Sequence, residues 1–215
     1  MPRVSKNPEE RKNEILDAAQ LLYGTKGYQQ TSVSDIVKQI GVAQGTFYYY
    51  FKSKEEAADA LIERHLHAIL GPMKEIVMSD SRTGLQKLAS LLLHELDEEN
   101  GHSDVFQYLH HENNTALHQR MVVQMVKQAA PMLASLLEQG NREGTFRVEQ
   151  PQLVAEFMLT GFQFWLDPSV FQWNDEERSH RVRKVLQIFE TLLGAPQDSL
   201  SLDRLKQTAY PSDET

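Results

Sequence analysis

The chain has 215 residues, of which 40% are hydrophobic and 24% are charged, which is the profile of an ordinary globular protein. No apolar run approaches the roughly 20 residues needed to cross a bilayer. The first residues are polar and lack the apolar core of a signal segment. Cysteine is absent, which excludes disulfides and thiolate metal sites. These features predict a cytoplasmic protein that does not interact with membranes.

The net charge of −8 is distributed unevenly along the chain. Residues 1–54 contain eight Lys or Arg and five Asp or Glu, a net charge of +3. The remainder contains 14 basic and 25 acidic residues, a net charge of −11. Such asymmetry is typical of a nucleic-acid-binding end joined to an acidic body that DNA repels. A charge of +3 over 54 residues is common, so this indication is weak by itself.

Apolar residues recur at helical spacing along the chain, and convincing strand patterns are absent, so the sequence predicts an all-α fold. Three short segments can be separated at the N-terminus. Gly27 can end a helix in the left-handed conformation. Ser32 and Asp35 fit a capping box that starts the next helix, and Gly41 interrupts its apolar stripe.

Longer helices are predicted further along the chain. Ser53 and Glu56 form a second capping box, which starts a long fourth helix that Gly71-Pro72 is expected to end. Pro131 is expected to kink or divide a later helix. The predicted helices are about 8–25, 33–40, 43–50, 55–70, 84–98, 104–111, 115–139, 151–166, 175–193 and 201–208.

Two short helices joined by a glycine-containing turn and braced by a preceding helix describe a helix-turn-helix, here at residues 32–51. The second helix of this motif must bury one side and offer the other to the DNA major groove. Val42, Phe47 and Phe51 can face inward. The residues then expected to face outward are Gln44, Gly45, Thr46, Tyr48 and Tyr49.

The outward residues have the chemistry that DNA recognition needs. Gln44 can pair with adenine edges, and Thr46 can contact a base, a thymine methyl or a phosphate. Gly45 allows close backbone approach, and tyrosine hydroxyls suit phosphate oxygens. Lys54 adds a cation beside the N–H groups of a helix start, which makes an anion site. Three consecutive tyrosines can also be packing aromatics, and Tyr50 is expected to be mostly core, but the joint pattern favours DNA binding.

The stretch 31–56 resembles the N-terminal domain of tetracycline-repressor-like (TetR family) regulators: Thr-Ser-Val-Ser-Asp-Ile-Val-Lys-Gln-Ile-Gly-Val-Ala-Gln-Gly-Thr-Phe-Tyr-Tyr-Tyr-Phe-Lys-Ser-Lys-Glu-Glu. The similarity extends over about residues 9–69. It implies an all-helical homodimer with a divergent C-terminal effector domain. It implies phosphate contacts from Thr31, Ser32, Tyr49 and Lys54. It places Ser34, Gln44, Thr46 and Tyr48 nearest the bases. Ala43 departs from the polar residue often found there, so no base contact is expected from it.

The resemblance also implies that two late helices of each subunit form a four-helix dimer interface. The first helix has an apolar stripe of Val154, Phe157, Met158, Gly161, Phe162 and Trp165. The second has Val182, Val185, Leu186, Phe189 and Leu192-Leu193. A monomeric core would have the same composition. We prefer the dimer, because a helix-turn-helix protein normally needs two half-sites for affinity and specificity.

A pocket for a small-molecule effector is expected between helices of the C-terminal body, with apolar walls and few polar groups. Its candidate lining residues are Phe106, Tyr108, His110, Met121, Met125, Phe162 and Trp165. Methionine and aromatic stripes of this kind are also found in ordinary cores. The sequence therefore predicts a pocket but does not identify its lining residues.

No metal or cofactor is predicted. His110-His111-Glu112 with His118 invites a metal interpretation, but adjacent histidines on a helix point about 100° apart and rarely share one ion. A solvated cluster at a loop edge is the preferred interpretation. An enzyme is the distant alternative, since the sequence has no nucleophile elbow, metal-binding His/Glu helix, phosphate-cradling glycine loop or cysteine nucleophile.

The sequence therefore predicts a sequence-specific DNA-binding transcriptional regulator. The preferred hypothesis is a homodimeric repressor that a small ligand releases from a palindromic double-stranded DNA operator. The alternative is an activator, or a regulator of the same fold that a protein partner controls. The predicted domains are a helix-turn-helix domain at 1–54, a helical effector and dimerisation domain at 55–198, and a polar tail at 199–215.

Overall fold

A computed structural model describes residues 7–96 and 114–210, apart from the side chains of residues 168 and 169. Regular structure in these ranges is entirely helical, which confirms the all-α fold class. The helices are α1 (Pro8–Thr25), α2 (Val33–Gln39), α3 (Gln44–Tyr50), α4 (Lys54–Val77), α5 (Gly84–Leu96), α6 (Thr115–Arg142), α7 (Pro151–Trp165), α8 (Pro168–Phe171), α9 (Asp175–Leu193) and α10 (Leu202–Ala209). The predicted helix at 104–111 lies outside the described residues. Within the described ranges, no helix has the length and apolarity that a bilayer crossing requires.

Helix α4 is longer than predicted. The expected end at Gly71-Pro72 is wrong, because α4 continues through Pro72 to Val77. A proline inside a helix costs roughly 3 kcal/mol. Met73, Ile76 and Val77 follow the proline and pack against the apolar core of the C-terminal half, which offsets that cost.

Helix α6 also contains a proline that does not divide it. It is a single helix of 28 residues with Pro131 in its interior, so the expected division is wrong. Pro131 itself is exposed. Ala130, Leu133 and Leu137 are buried in the core on the other side of the helix. Apolar packing on both sides of the proline therefore holds the helix together.

Of the two predicted capping boxes, the one at Ser32 and Asp35 is complete. At the start of α4, the Ser53 hydroxyl accepts a 3.2 Å hydrogen bond from the Glu56 N–H as predicted, but the Glu56 carboxylate accepts from the Lys52 N–H instead of completing the box. The Ser32 hydroxyl accepts a hydrogen bond from the Asp35 N–H, and the Asp35 carboxylate accepts one from the Ser32 N–H. Asn174 and Glu177 form the same reciprocal pair at the start of α9. Gly27, with a φ of +88°, has the left-handed conformation expected after α1. Local sequence thus specifies where these helices begin and end.

The described residues form two compact units. Unit 1 contains residues 7–67 and 114–121, and unit 2 contains residues 68–96 and 122–210. In unit 1, α1 packs on α2 and α2 packs on α3. The buried apolar residues of unit 1 include Ile15, Ala19, Tyr23, Ile36, Phe47, Phe51, Leu61, Leu66 and Leu117. The predicted domain boundaries stay predictions; the division between compact units falls inside α4.

Unit 2 has a core to which α5, α6, α7, α9 and α10 contribute. Helix α10 lies against α5 and places Leu205 and Ala209 in this core, although the segment from 199 onward was predicted as a polar tail. Glu190 is buried, and its carboxylate accepts hydrogen bonds from the N–H groups of Asp198 at 3.2 Å and Leu200 at 2.8 Å. These bonds fix the turn that leads into α10.

The two stripes predicted for dimerisation occupy different environments. On α9, the apolar stripe is buried in the core of unit 2: Val182, Val185, Leu186, Phe189 and Leu193. On α7, Met158 is buried as well, whereas Phe157 and Gly161 are exposed. The exposed large apolar residues of α7 are Leu153, Phe157 and Phe164, which we call the α7 apolar face. These residues are spaced by four and seven positions, so they lie on one side of the helix.

Candidate nucleic-acid interface and apolar cavity

Unit 1 contains the predicted helix-turn-helix. Helices α2 and α3 are joined by a turn in which Gly41 has a φ of +68°. The turn is closed by a 3.0 Å hydrogen bond from the Val42 N–H to the Val37 carbonyl. Phe47 is the buried residue of α3 and packs against Phe51, with ring centroids 5.6 Å apart. Helix α3 therefore packs against the rest of unit 1 through one of its sides only.

The other side of α3 faces away from the core. Gln44, Gly45, Tyr48 and Tyr49 are exposed, and we call them the α3 surface. Tyr49 is 80% exposed, an unusual position for a large ring without a binding partner. No atom lies within 4 Å of a Cβ built on Gly45, so internal packing does not require glycine there. Thr46 is half-buried at the edge of this surface. The predicted outward residues of α3 are thus brought together on one helix.

The start of α2 presents a second group of predicted contacts. Ser34 is exposed in the first turn of the helix. Ser32 is exposed too, but its hydroxyl lies 2.7 Å from an Asp35 carboxylate oxygen and also caps the helix. Asp35 accepts a further hydrogen bond from the Lys26 ammonium at 2.7 Å. These donors, Lys26 foremost, hold the pKa of Asp35 well below its usual range. The role that the structure gives to Ser32 is therefore to cap the start of α2.

Thr31 lies inside unit 1 rather than on its surface. Its side chain is buried, and its hydroxyl donates a 2.8 Å hydrogen bond to the Gly27 carbonyl. This bond closes the turn between α1 and α2. In this structure the Thr31 side chain positions α2, and its phosphate contact stays a prediction.

Lys54 also has an internal role. Its ammonium donates hydrogen bonds to the carbonyls of Tyr28 at 2.9 Å and Thr31 at 3.0 Å. It also lies 4.4 Å from the centre of the Tyr28 ring. An ammonium has three N–H donors, so one of them remains for an external acceptor. The predicted anion site is reduced to that single donor.

Residues 114–121 join the helix-turn-helix unit, which the sequence did not reveal. Asn114 is fully buried; its amide oxygen accepts from the Tyr28 N–H at 2.7 Å, and its amide nitrogen donates to the Tyr23 carbonyl at 2.8 Å. The Arg120 guanidinium contacts both oxygens of Asp59 at 2.6 Å. An asparagine before a predicted helix is a capping signal, but no nearby residue in the sequence indicates that its partners are Tyr28 and Tyr23.

Unit 2 contains an apolar, partly open cavity of about 70 Å³. This is several times the roughly 10–15 Å³ that one buried water requires. The wall contains three polar residues, His94, Glu95 and Gln163. The other lining residues are Ile69, Leu70, Met73, Leu88, Leu91, Leu92, Met125, Ala129, Leu133, Met158, Leu159, Phe162 and Phe189. Such a cavity suits an apolar ligand with a small polar group.

The predicted pocket residues are placed in several ways. Met125 and Phe162 line the cavity. Trp165 is not among its lining residues; it packs against the core, and its carbonyl accepts a 3.0 Å hydrogen bond from the Trp173 indole. Met121 belongs to unit 1. The remaining candidates lie outside the described residues: Phe106, Tyr108 and His110.

The polar residues of the cavity were not predicted. The Gln163 amide nitrogen donates a hydrogen bond to the Glu95 carboxylate at 3.5 Å. Desolvation by the surrounding protein raises the pKa of Glu95. The His94 charge and the Gln163 hydrogen bond lower this pKa, but by less. The sequence contains a signal for this site, because His94 and Glu95 interrupt an otherwise leucine-rich helix face. In the described part of the chain, no three His, Asp or Glu side chains cluster as metal ligands would.

The chain matches two family models. The model described as "Bacterial regulatory proteins, tetR family" matches residues 15–61. The model described as "Tetracyclin repressor-like, C-terminal domain" matches residues 100–188. The first match covers α2, α3 and parts of α1 and α4, and therefore includes the whole α3 surface.

Similar proteins are found among curated sequences and solved structures. The HTH-type transcriptional repressor KstR2 of Mycobacterium tuberculosis is 30% identical over 150 residues, which cover 68% of this chain and 74% of the relative. The fatty acid metabolism regulator protein of Bacillus subtilis is 29% identical over 169 residues, covering 76% and 84%. The crystal structure of the transcriptional regulator FadR from Bacillus subtilis in complex with stearoyl-CoA is 26% identical. Its TM-score is 0.59, and the alignment covers 86% of this chain and 99% of that one.

Proposed function

The chain belongs to the tetR family of bacterial regulatory proteins, and from that premise we propose a specific mode of action. It is a DNA-binding transcriptional regulator. We propose that it is a homodimeric cytoplasmic repressor, which leaves a palindromic operator when an apolar small molecule binds the cavity of unit 2. The proposal assigns no catalytic turnover to the chain.

The α3 surface is the observation that carries the DNA-binding part of this proposal. Gln44 and Tyr48 lie one turn apart on a helix whose opposite side holds it to unit 1 through Phe47. A glutamine amide can pair with an adenine edge, and a tyrosine hydroxyl can bond to a phosphate oxygen. Gly45, between them, exposes backbone that a side chain would cover. We therefore assign a base contact to Gln44 and place Ser34, Thr46 and Tyr48 beside it, nearest the bases.

We propose a smaller set of phosphate-contacting residues than the sequence predicted. Tyr49 is the most exposed candidate, and Lys54 retains one donor after its two carbonyl bonds. Ser32 has an exposed hydroxyl that also caps α2. Thr31 contributes by fixing the turn before α2, since its hydroxyl is bonded within the protein.

Homodimerisation is supported by the α7 apolar face. Leu153, Phe157 and Phe164 are 58%, 62% and 54% exposed, respectively. Ile188 on the outer side of α9 is 43% exposed as well. Burying rings of this size removes 150–250 Å² of surface each, which favours association. The proposed interface uses this face of α7 with the outer side of α9, since the inner side of α9 fills the core.

The ligand part of the proposal rests on the cavity. Its walls are formed by aliphatic, methionine and phenylalanine side chains. The similar FadR structure from Bacillus subtilis contains stearoyl-CoA, a ligand with a long acyl chain. We propose that this chain also takes a ligand with an extended apolar part. Ile69, Leu70 and Met73 bring α4 into the cavity wall, and the same helix begins at Lys54 in unit 1.

Ligand binding lowers DNA affinity only if the ligand binds the DNA-free state more tightly than the DNA-bound state. We propose that the ligand displaces α4 at the cavity wall and thereby changes the spacing of the two α3 helices of the dimer. Successive major grooves on one face of DNA are about 34–36 Å apart, so a small change in spacing weakens binding.

Selection of bound fragments from a random DNA pool tests the proposal directly. We expect a palindromic sequence to be enriched and then to bind in fluorescence anisotropy. Gln44→Ala should relax specificity at one position of each half-site by about 1–3 kcal/mol. Tyr49→Phe, which removes only an exposed hydroxyl, should weaken binding to all sequences similarly. Lys74→Ala, at an exposed lysine of α4 in unit 2, is the matched control and should bind normally.

Two results would remove the proposal. Failure of any sequence to be enriched at moderate salt would contradict sequence-specific binding. Normal binding by both α3 variants would show that this surface does not contact DNA. A promoter-reporter assay in cells then separates repression from activation, since loss of the protein should raise expression from an operator it represses.

A further inference from the structure

The polar groups of the unit 2 cavity lie side by side. His94 and Glu95 are neighbours on α5, and Gln163 on α7 reaches the Glu95 carboxylate as a hydrogen-bond donor at 3.5 Å. The remaining thirteen lining residues are apolar. The cavity is therefore amphipathic, with one polar corner and an otherwise apolar wall.

The charge of this corner is acidic. Among the described lining residues, Glu95 is the only Asp or Glu, and none is Lys or Arg. Of the lining side chains that the structure describes, His94 is the one that can become positively charged. The Glu95 carboxylate thus has an amide and an imidazole as neighbours, and the described part of the wall contains no permanent cation.

Glu95 lines the cavity, and its carboxylate lies within hydrogen-bond reach of the Gln163 amide. The side chain is exposed, yet desolvation raises its pKa. As a lining residue, Glu95 lies on the wall of a concave site. A charge in such a site is screened less by water than one on a convex surface, so it acts strongly on a ligand beside it.

We propose that Glu95 makes this cavity selective for an amphiphile whose apolar chain ends in a hydrogen-bond donor, neutral or cationic, and that it rejects chains ending in a carboxylate. The carboxylate accepts a hydrogen bond from an alcohol, amide or ammonium group, whereas a second carboxylate meets like charge in a desolvated corner. Gln163 holds the Glu95 carboxylate towards the ligand. This inference rests on the proposed function, since it takes the cavity as the effector site.

Three probes with the same chain and different ends test this selectivity: octan-1-ol, octylamine and octanoate. Binding to the full-length protein is measured by calorimetry and thermal shift at neutral pH, without DNA and below micellar concentrations. We expect the alcohol and the amine to bind and octanoate to bind at least about tenfold more weakly. Glu95→Gln should bring octanoate within about threefold of the alcohol and should weaken amine binding.

Glu138→Gln is the matched control, because Glu138 is exposed on α6 and does not line the cavity. It should leave the order of the three probes unchanged. The inference is overturned if the wild-type protein binds octanoate as well as octanol, if none of the three probes binds, or if Glu95→Gln leaves their ratio unchanged. DNA binding is measured separately: a protein that binds its selected DNA but shows no selectivity contradicts this inference alone, whereas one that shows selectivity but binds no DNA contradicts the proposed repressor.

Discussion

Asn114 shows how much one buried amide can do at the scale of a residue. It satisfies the Tyr28 N–H and the Tyr23 carbonyl, both at the end of α1 and in the turn that follows. Asn114 is fully buried, so both hydrogen bonds lie inside the protein. The turn before the helix-turn-helix is therefore held by a residue that lies 86 positions away from Tyr28.

We predict that Asn114→Ala destabilises the protein by about 2–4 kcal/mol, because it leaves a buried donor and a buried acceptor unpaired. Urea unfolding followed by circular dichroism measures this change. Gln119→Ala, at an exposed position of the same helix, should stay within about 0.5 kcal/mol of the wild type. Equal stability of the two variants would mean that the Asn114 bonds do not contribute.

His65 is a second buried polar residue of unit 1. Burial, with a smaller effect of the neighbouring Arg64 charge, lowers the pKa of His65 from 6.5 to about 4. The folded protein thus favours the neutral imidazole, and the unfolded chain binds the proton first as the pH falls. The stability gained from the neutral form is complete above about pH 6.5 and is lost as the pH falls towards 4.

We predict that His65→Gln flattens the dependence of the unfolding free energy on pH between about 6.5 and 4. The difference between wild type and variant should be constant above about pH 6.5 and should shift in favour of the variant as the pH falls from there to about 4. His67→Gln, at an exposed histidine of the same helix, is the control and should follow the wild-type curve. Parallel curves for wild type and His65→Gln would contradict the prediction.

At the scale of the helix, the approach of α5 to α6 depends on two glycines. A Cβ on Gly84 would lie 2.8 Å from the Gly140 nitrogen, closer than real Cβ contacts. A Cβ on Gly140 would overlap the Phe146 ring, which is buried in the unit 2 core. Helix α6, which has 28 residues, can therefore pack closely here because Gly140 in its last turn has no side chain.

We predict that Gly140→Ala destabilises the protein by about 1–3 kcal/mol through overpacking, although alanine is the better helix former. Gly45→Ala is the matched control, since it too lies in a helix but has nothing within 4 Å of the added methyl. That variant should be neutral or more stable by up to about 1 kcal/mol. Differential scanning calorimetry compares the two, and similar unfolding temperatures would show that Phe146 moves aside without loss.

At the scale of the whole molecule, the α7 apolar face suggests that the functional unit contains more than one chain. Three large apolar side chains on one side of a helix are a costly surface in water. A helix-turn-helix protein also gains specificity when two copies contact two half-sites. Both considerations support a dimer formed through α7.

We predict that Phe157→Glu converts the protein from a dimer to a monomer and weakens binding to the palindromic operator by at least about tenfold. Light scattering coupled to size exclusion measures the mass, and anisotropy measures the affinity. Leu21→Glu places the same charge at an exposed leucine of α1, which is 52% exposed, and should leave the mass unchanged. A wild-type protein with the mass of one chain at micromolar concentration would refute the proposed interface.

The sequence by itself determined the features that depend on neighbouring residues. The capping box at Ser32 and Asp35, the left-handed Gly27 and the helical spacing of apolar residues gave the all-α class and the helix-turn-helix, and the family resemblance is confirmed. The outward direction of Gln44 and Tyr48 also followed from helical period and one buried phenylalanine. Such signals are local, so they survive without knowledge of the tertiary fold.

Tertiary structure decided the features that depend on distant partners. Packing of Met73 and Val77 carries α4 past Pro72, against the local preference. Burial turns Thr31 inward, and carbonyls from the preceding turn take two donors of Lys54. The cavity has Glu95 as its acidic group because α5 and α7 meet there. Each of these outcomes is set by which side chains face each other across helices, and a single sequence does not contain that information in any local pattern.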